Sequence, residues 1–397
     1  MARVLMCWEL GGGLAYIEGL TLVAKKFKKA GHEVLFAVRD LSHAERLLGD
    51  KFQFYQAPTQ VSQLDARLPL PMTFADVLIN LGYGNPASVV ARVRAWRNLI
   101  DHVKPDIVRC AHSPGALLAA RGTGIRTLPV GIGFLQPPPL SPLPNLRPWD
   151  KTAMPERMAA REQHVLEGMN RGLDAIGAPR VASVGALYNE TDICELYTYP
   201  ELDDYGPRDK VKYLGNFQPG FGDSPAWPTR GGKRIFAYLQ AHKFTPQALQ
   251  ALADTGQSVL VYMSGTPEEL RTRFVGSSLA FVDRPLNIAE TAMQCDVGIT
   301  HGGHNIVGSL MQAGKPQLCL PTLLPERLTA GKIEGLGTGL MTDVQFSDVR
   351  EKLARLLAEK DFAEKARTLG ARLTPLTIES ALKGALESIE TLAKPRA

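Results

Sequence analysis

The stretch THGGHN, residues 300–305, sets two histidines around two glycines where an apolar strand pattern (296–300) gives way to a helical one (305–313). Glycines at 302 and 303 let the backbone turn tightly and approach a bulky ligand. The first N–H groups of a helix have no intrahelical partner, and together with the helix dipole they attract anions. His301 ends the strand, where ligands bind in open α/β sheets, and can donate a hydrogen bond to a phosphate oxygen. The pattern predicts an anion site suited to phosphate at the first turn of the helix, with His301 as a further donor. The alternative is a Gly-rich turn with two incidental histidines.

The elements that must position this turn follow from periodicity. RVLMCWEL (3–10) reads as a buried strand, GGG (11–13) as a loop, and apolar residues at 17, 20, 23, 24, 27 and 30 as a helix stopped by Gly31. HEVLFAV (32–38) is the next strand, completing a βαβ unit. The rhythm repeats over 104–133. It restarts after a Gly/Pro-rich stretch, with strands at 234–239, 258–264, 279–284, 296–300 and 316–321. QPPPLSPLPNLRPWD (136–150) is too Pro-rich for regular structure. The fold class is therefore α/β, with two doubly wound parallel-sheet, Rossmann-like domains. The expected division is 1–214, a linker at 215–233, a second domain at 234–375, and a C-terminal helix at 376–397.

The chain has 397 residues, 45% hydrophobic and 21% charged, enough for two cores. Its net charge of +5 is spread along the chain and points to neither nucleic acid nor a membrane surface. No window is apolar enough for a membrane span. Five scattered cysteines without a C-x-x-C pair suit a reducing compartment, and no secretory leader is read, so the expected location is cytoplasmic.

The run 284–340, from RPLNIAETAMQCDVGITHGGHN to GLGTGL, resembles the donor-binding segment of family 1 glycosyltransferases, the UDP-glycosyltransferase-like GT-B enzymes of bacterial type. GGGLAYIEGLTLVAKKFKKAGHEVLFAV, CAHSPGALLAARGTGIRTLPVGIGFLQPPP and YPELDDYGPRDKVKYLGNF resemble successive parts of the same family. The resemblance implies the GT-B arrangement with an interdomain cleft. It also implies transfer of a sugar from a nucleotide diphosphate donor, UDP or dTDP, to a small hydrophobic acceptor, inverting and without a metal or other cofactor. In that reading His301 and the amides of Gly302, Gly303 and Asn305 hold the diphosphate, and the nucleobase lies near Asp283 and Arg284. Glu326 touches the sugar. Family members carry Ser or Thr at the place of Ile306 and a ribose-binding Glu at that of Ser309.

The family's catalytic pair, Gly-His, reads Ala15-Tyr16 here, and the Asp that orients its histidine aligns with Ala111. Three side chains remain as bases: Glu9, His112 and Tyr16. A phenol of pKa about 10 is ionised only about one part in a thousand at pH 7, whereas histidine and glutamate are largely unprotonated. Glu9, ending the first strand toward the cleft, ranks first, ahead of His112. The loss of the pair leaves a second reading open: a non-catalytic protein on the same scaffold that binds a nucleotide or a partner enzyme. The acceptor walls are expected from 68–90 and the Pro-rich loop, both apolar.

Overall fold

The computed structural model describes residues 1–12, 14–60, 66–218, 221–229 and 231–395, the side chains of residues 14–16 excepted. The chain forms two compact units. Unit 1 is Met1–Tyr197, Tyr205–Leu214 and Glu379–Ala397; unit 2 is Thr198–Asp204 and Gly215–Ile378.

Unit 1 holds strands β1 (Arg3–Trp8), β2 (Glu33–Val38), β3 (Gln53–Gln56), β4 (Ile107–Ala111), β5 (Arg126–Gly131), β6 (Glu195–Leu196) and β7 (Lys212–Tyr213). They make one parallel sheet in the order β3-β2-β1-β4-β5-β6-β7. All five residues of β4 and five of the six in β1 are buried, as expected of strands covered on both faces. Helix Pro86–Val103 lays Val89, Val93, Trp96 and Ile100 into the core at helical spacing. Burial of each such side chain contributes roughly 1.5–3 kcal/mol. Residues 136–150 contain no helix or strand. The last helix, Ile378–Leu392, belongs to unit 1 from Glu379 on. It buries Ala385 and Ile389, and the Gly384 carbonyl accepts from the Lys212 ammonium at 2.6 Å.

Unit 2 holds β8 (Arg234–Leu239), β9 (Ser258–Met263), β10 (Leu279–Val282), β11 (Val297–Thr300), β12 (Gln317–Cys319) and β13 (Gly339–Met341), all parallel, in the order β10-β9-β8-β11-β12-β13. The Gly/Pro-rich segment after residue 214 is tied to this unit. Asp223 bridges to Leu286, and the Trp227 indole donates to Gln294 at 2.9 Å.

Strand order reverses between β1 and β4 in unit 1 and between β8 and β11 in unit 2. These switch points are where connections diverge to opposite faces and leave room beyond the strand ends. Glu9 and His112 follow β1 and β4. His301 follows β11, and Gln240–His242 follow β8.

Candidate functional site

In unit 2, β11 delivers the main chain to His301, whose amide donates to the Tyr238 carbonyl at 3.3 Å. The imidazole lies against the Tyr238 ring, with centroids 5.6 Å apart. Gly302 takes φ +88°, and a Cβ there would meet the Glu326 carbonyl at 2.8 Å. Its amide donates to Thr300 Oγ1 at 3.1 Å. Gly303 is needed for another reason: a Cβ there would lie 2.3 Å from His301 Nε2. One glycine makes the turn, and the next leaves the space the ring fills.

Helix His304–Gln312 starts at once, with Gly303 as its N-cap and no side-chain cap. Its first intrahelical donor is the Val307 amide, bonded to the Gly303 carbonyl at 3.0 Å. The His304, Asn305 and Ile306 amides precede it, at the positive end of the helix dipole. Burial pushes the His301 pKa down, opposed by the nearby Glu326 charge, so the ring is a neutral donor near pH 7. This arrangement suits a phosphate or diphosphate.

The remaining residues of the expected donor set are employed otherwise. Ser309 is buried; its hydroxyl donates to the Asn305 carbonyl and accepts from Asn216 Nδ2, both at 2.9 Å. Ile306 is buried in an apolar cluster with Phe236, Leu260 and Leu310, so it supports the helix from beneath. Glu326 Oε2 accepts from the Thr322 and Leu323 amides at 2.8 and 2.9 Å, capping helix Leu324–Gly335. Arg284 is 81% exposed and pairs with Asp223 at 3.0 Å. Asp283 pairs with Arg271. The structure thus brings His301, Gly302, Gly303 and Asn305 together at one turn. It leaves Ser309, Glu326 and Arg284 in structural contacts, and the Gly302 amide, expected to face the diphosphate, donates to Thr300 Oγ1 instead.

In unit 1 the expectation that Glu9 faces open space is corrected. Glu9 is 0% exposed. Oε1 accepts from the Tyr83 hydroxyl at 2.7 Å and from Arg92 at 3.3 Å, and Oε2 accepts from the Gly115 amide at 2.7 Å. Burial raises its pKa, while Arg92 and these hydrogen bonds work against that. The carboxylate is the knot that ties β1 to helices Pro86–Val103 and Pro114–Ala120. Arg92 and Tyr83 were missed from sequence. A signal for Arg92 did exist, because it shares the buried face with Val89, Val93 and Trp96.

His112 is 3% exposed, and neither ring nitrogen has a hydrogen-bond partner among the described residues. Its φ of +48° lies in the left-handed region, costly for a residue with a Cβ, and the Leu10 amide holds its carbonyl at 3.0 Å. Burial lowers its pKa to about 3, so the ring is neutral. Tyr16 lies in helix Leu14–Lys29, with its side chain outside the described residues. Among the described residues, no helix is long and apolar enough to cross a membrane.

No family model matches the chain. A 97-residue stretch is 28% identical to the sterol 3-beta-glucosyltransferase of Pichia angusta, covering 24% of this chain and 8% of that protein. A 132-residue stretch is 24% identical to NDP-glycosyltransferase YjiC of Bacillus subtilis (strain 168), covering 32% of this chain and 33% of that protein. The matches therefore span a third or less of these curated relatives. Likeness to solved structures is more extensive. CalG4, the calicheamicin glycosyltransferase, superposes with a TM-score of 0.71 at 17% identity over 99% of each chain. SsfS6, a glycosyltransferase from Streptomyces sp. SF2575 solved in complex with thymidine diphosphate, gives 0.63 at 18% identity over 98% of this chain and 100% of that one. With two parallel-sheet α/β domains matched over nearly its whole length, the chain has the GT-B fold of these glycosyltransferases.

Proposed function

We propose that the protein is a glycosyltransferase that takes a nucleotide diphosphate sugar, UDP- or dTDP-linked, and moves the sugar to a small hydrophobic acceptor with inversion and without a metal. The observation that carries this reading is the turn in unit 2, where His301 lies beside the uncapped start of helix His304–Gln312 on a backbone packed so closely that only glycine fits at 302 and 303. The departing diphosphate gains negative charge in the transition state. Donors already oriented toward it stabilise that charge without reorganisation. The thymidine diphosphate held by SsfS6 supports a donor of this class.

On the acceptor side the base is His112 rather than Glu9. Glu9 has both oxygens engaged, whereas His112 is neutral and has two unpartnered nitrogens at the switch point of unit 1. A pKa of about 3 makes it a weak base. A phenol, of pKa about 10, gives up its proton to so weak a base less unfavourably than an aliphatic alcohol, so phenols are the first acceptors to test. One observation favours a second reading, a nucleotide-binding protein without transfer: Glu9 and His112 are both closed to solvent.

The deciding experiment incubates the protein with UDP- and dTDP-glucose, with chelator present, against panels of phenols and aliphatic alcohols, and reads product mass and anomeric configuration. Inverted glycosides of phenols, lost in His112→Ala, support the proposal. Nucleotide binding without any transfer supports the second reading. Absence of binding by UDP and dTDP up to millimolar overturns both.

A further inference from the structure

Of the eleven large apolar side chains exposed among the described residues, four fall on two neighbouring segments of unit 1: Leu70, Leu140, Trp149 and Met154, each between 39% and 60% exposed. A lone exposed apolar residue is ordinary, whereas a group of them marks a binding surface. The segments, 66–72 and 136–154, contain no helix or strand, yet they are tied to each other and to one helix. The Leu146 amide donates to the Met72 carbonyl at 2.7 Å, and Arg147 Nε to the Pro71 carbonyl at 2.9 Å. Helix Pro155–Asp174 holds both. Its Arg161 pairs with Asp76 at 3.2 Å, and Asp76 Oδ2 accepts from the Met72 amide at 2.7 Å. Its Glu162 accepts from the Ser141 hydroxyl at 2.9 Å and the Leu143 amide at 2.6 Å. Leu143 and Leu146 are buried beneath, while Leu140 and Trp149 of the same loop stay outside. The apolar tips are therefore fixed before any partner arrives, which lowers the cost of binding.

Three of the four tips have an exposed cation within three residues along the chain: Arg67 by Leu70, Lys151 by Trp149 and Arg157 by Met154. With Arg147, residues 66–72 and 136–157 carry four cations against two anions, Asp150 and Glu156. Asp150 is engaged in its own turn, accepting from the Thr152 amide and hydroxyl at 2.9 and 2.7 Å. Apolar tips with cations beside them, an indole among them, fit a lipid surface: the tips enter the headgroup boundary and the cations meet anionic headgroups. A protein partner fits less well, because the cores of protein interfaces are depleted in charged residues, lysine among them.

We propose that this platform of unit 1 docks the protein on an anionic lipid surface, with Leu70, Leu140, Trp149 and Met154 at the headgroup boundary and Arg67, Lys151 and Arg157 against the headgroups. Phe74 and Phe134, at the roots of the two segments, pack ring to ring at 6.2 Å, and Phe74 lies 6.4 Å from the His112 ring. Docking thus sets the unit 1 switch point near the lipid, from which an acceptor of low water solubility can be drawn. Only that consequence rests on the transferase reading.

The test is co-sedimentation of the full chain, without nucleotide, with phosphatidylcholine vesicles containing or lacking phosphatidylserine, at low and high salt. Binding should require phosphatidylserine and fall as salt rises. Lys151→Gln with Arg157→Gln should weaken it about 25-fold, each cation being worth about fivefold. Leu70→Ser with Trp149→Ser should weaken it at least about tenfold. Brominated lipid should quench the native tryptophan emission, and Trp149→Phe should remove that quenching, since Trp8 and Trp96 are buried and Trp227 belongs to unit 2. No binding to phosphatidylserine vesicles, binding that either double variant leaves unchanged, or quenching that persists in Trp149→Phe overturns the proposal. Self-association without vesicle binding, abolished by Leu70→Ser with Trp149→Ser, assigns the platform to a second copy instead and overturns it too. If that double variant does not fold, Leu140→Ser with Met154→Ser takes its place. A native chain that binds vesicles but forms no glycoside keeps the docking and loses the transferase reading.

Discussion

The two switch points are built on one plan and used differently. In unit 1, the residue after β1 is a carboxylate sealed by Tyr83, Arg92 and Gly115, so its charge is spent inside the protein. In unit 2, the residue after β11 is an imidazole packed closely against Gly303, with an uncapped helix beginning beside it. The two residues end the two strands that flank a switch point, Glu9 after β1, the counterpart of β8, and His301 after β11, the counterpart of β4; the first is an anchor and the second part of the proposed receptor. What separates them is local: a side chain folded back into the core against a turn that keeps side chains out.

This contrast is most directly broken at Arg92. Its side chain is nearly fully buried against Glu9, so Arg92→Met leaves an unpaired carboxylate inside. The expected loss is about 3–5 kcal/mol, read by urea unfolding. The double variant Glu9→Gln, Arg92→Met should recover at least half of it. An undiminished stability for Arg92→Met would mean that Glu9 is not the anchor described.

The receptor side should respond in the opposite sense. Gly303→Ala puts a methyl 2.3 Å from the place of Nε2 and so displaces the ring, and His301→Ala removes it. Each should weaken UDP or dTDP binding roughly 10- to 100-fold, the value of a charge-assisted hydrogen bond, and leave unfolding within about 1 kcal/mol. Calorimetry and urea curves on the same samples separate the two effects. If both variants bind as the native chain does, the anion does not sit at this turn.

Acid should expose the other residue of the unit 1 switch point. The folded pKa of His112 is about 3, below the ordinary 6.5, so below pH 6.5 the unfolded chain binds the extra proton. This contribution to stability is complete at higher pH and is lost as pH falls from 6.5 toward 3. Between pH 8 and pH 5 the loss is about 2 kcal/mol. His112→Gln should flatten that part of the pH profile of urea unfolding, and an identical profile in the variant would place the acid sensitivity elsewhere.

The smallest change is expected at Ser309. Ser309→Ala removes a hydroxyl between Asn305 and Asn216, costing about 1 kcal/mol, with nucleotide affinity unchanged within twofold. A tenfold loss of affinity would return Ser309 to the ligand side.

The α/β rhythm was readable because parallel strands buried on both faces appear as apolar runs, and the HGG turn was readable because its logic is contained in three neighbouring residues. Glu9 was misplaced because its fate is set by Tyr83 and Arg92, 74 and 83 residues away. Ser309 depends in the same way on Asn216, 93 residues distant. His112 carries no local sign of its left-handed backbone, since neither glycine nor asparagine marks the position. What distance in the chain hides is not which strand a residue ends but whether a partner reaches it.

The residues of unit 1 lie on both sides of unit 2 in the chain, and this has a consequence for synthesis. When residue 214 has left the ribosome, all seven strands of the first sheet exist, but Ala385 and Ile389, which unit 1 buries, have not been made. Every residue of unit 2 is available by Ile378. Domains generally fold as units during translation, the N-terminal one first. Here the first sheet to appear waits longest for its covering, and the nascent chain completes its second unit before it can close its first.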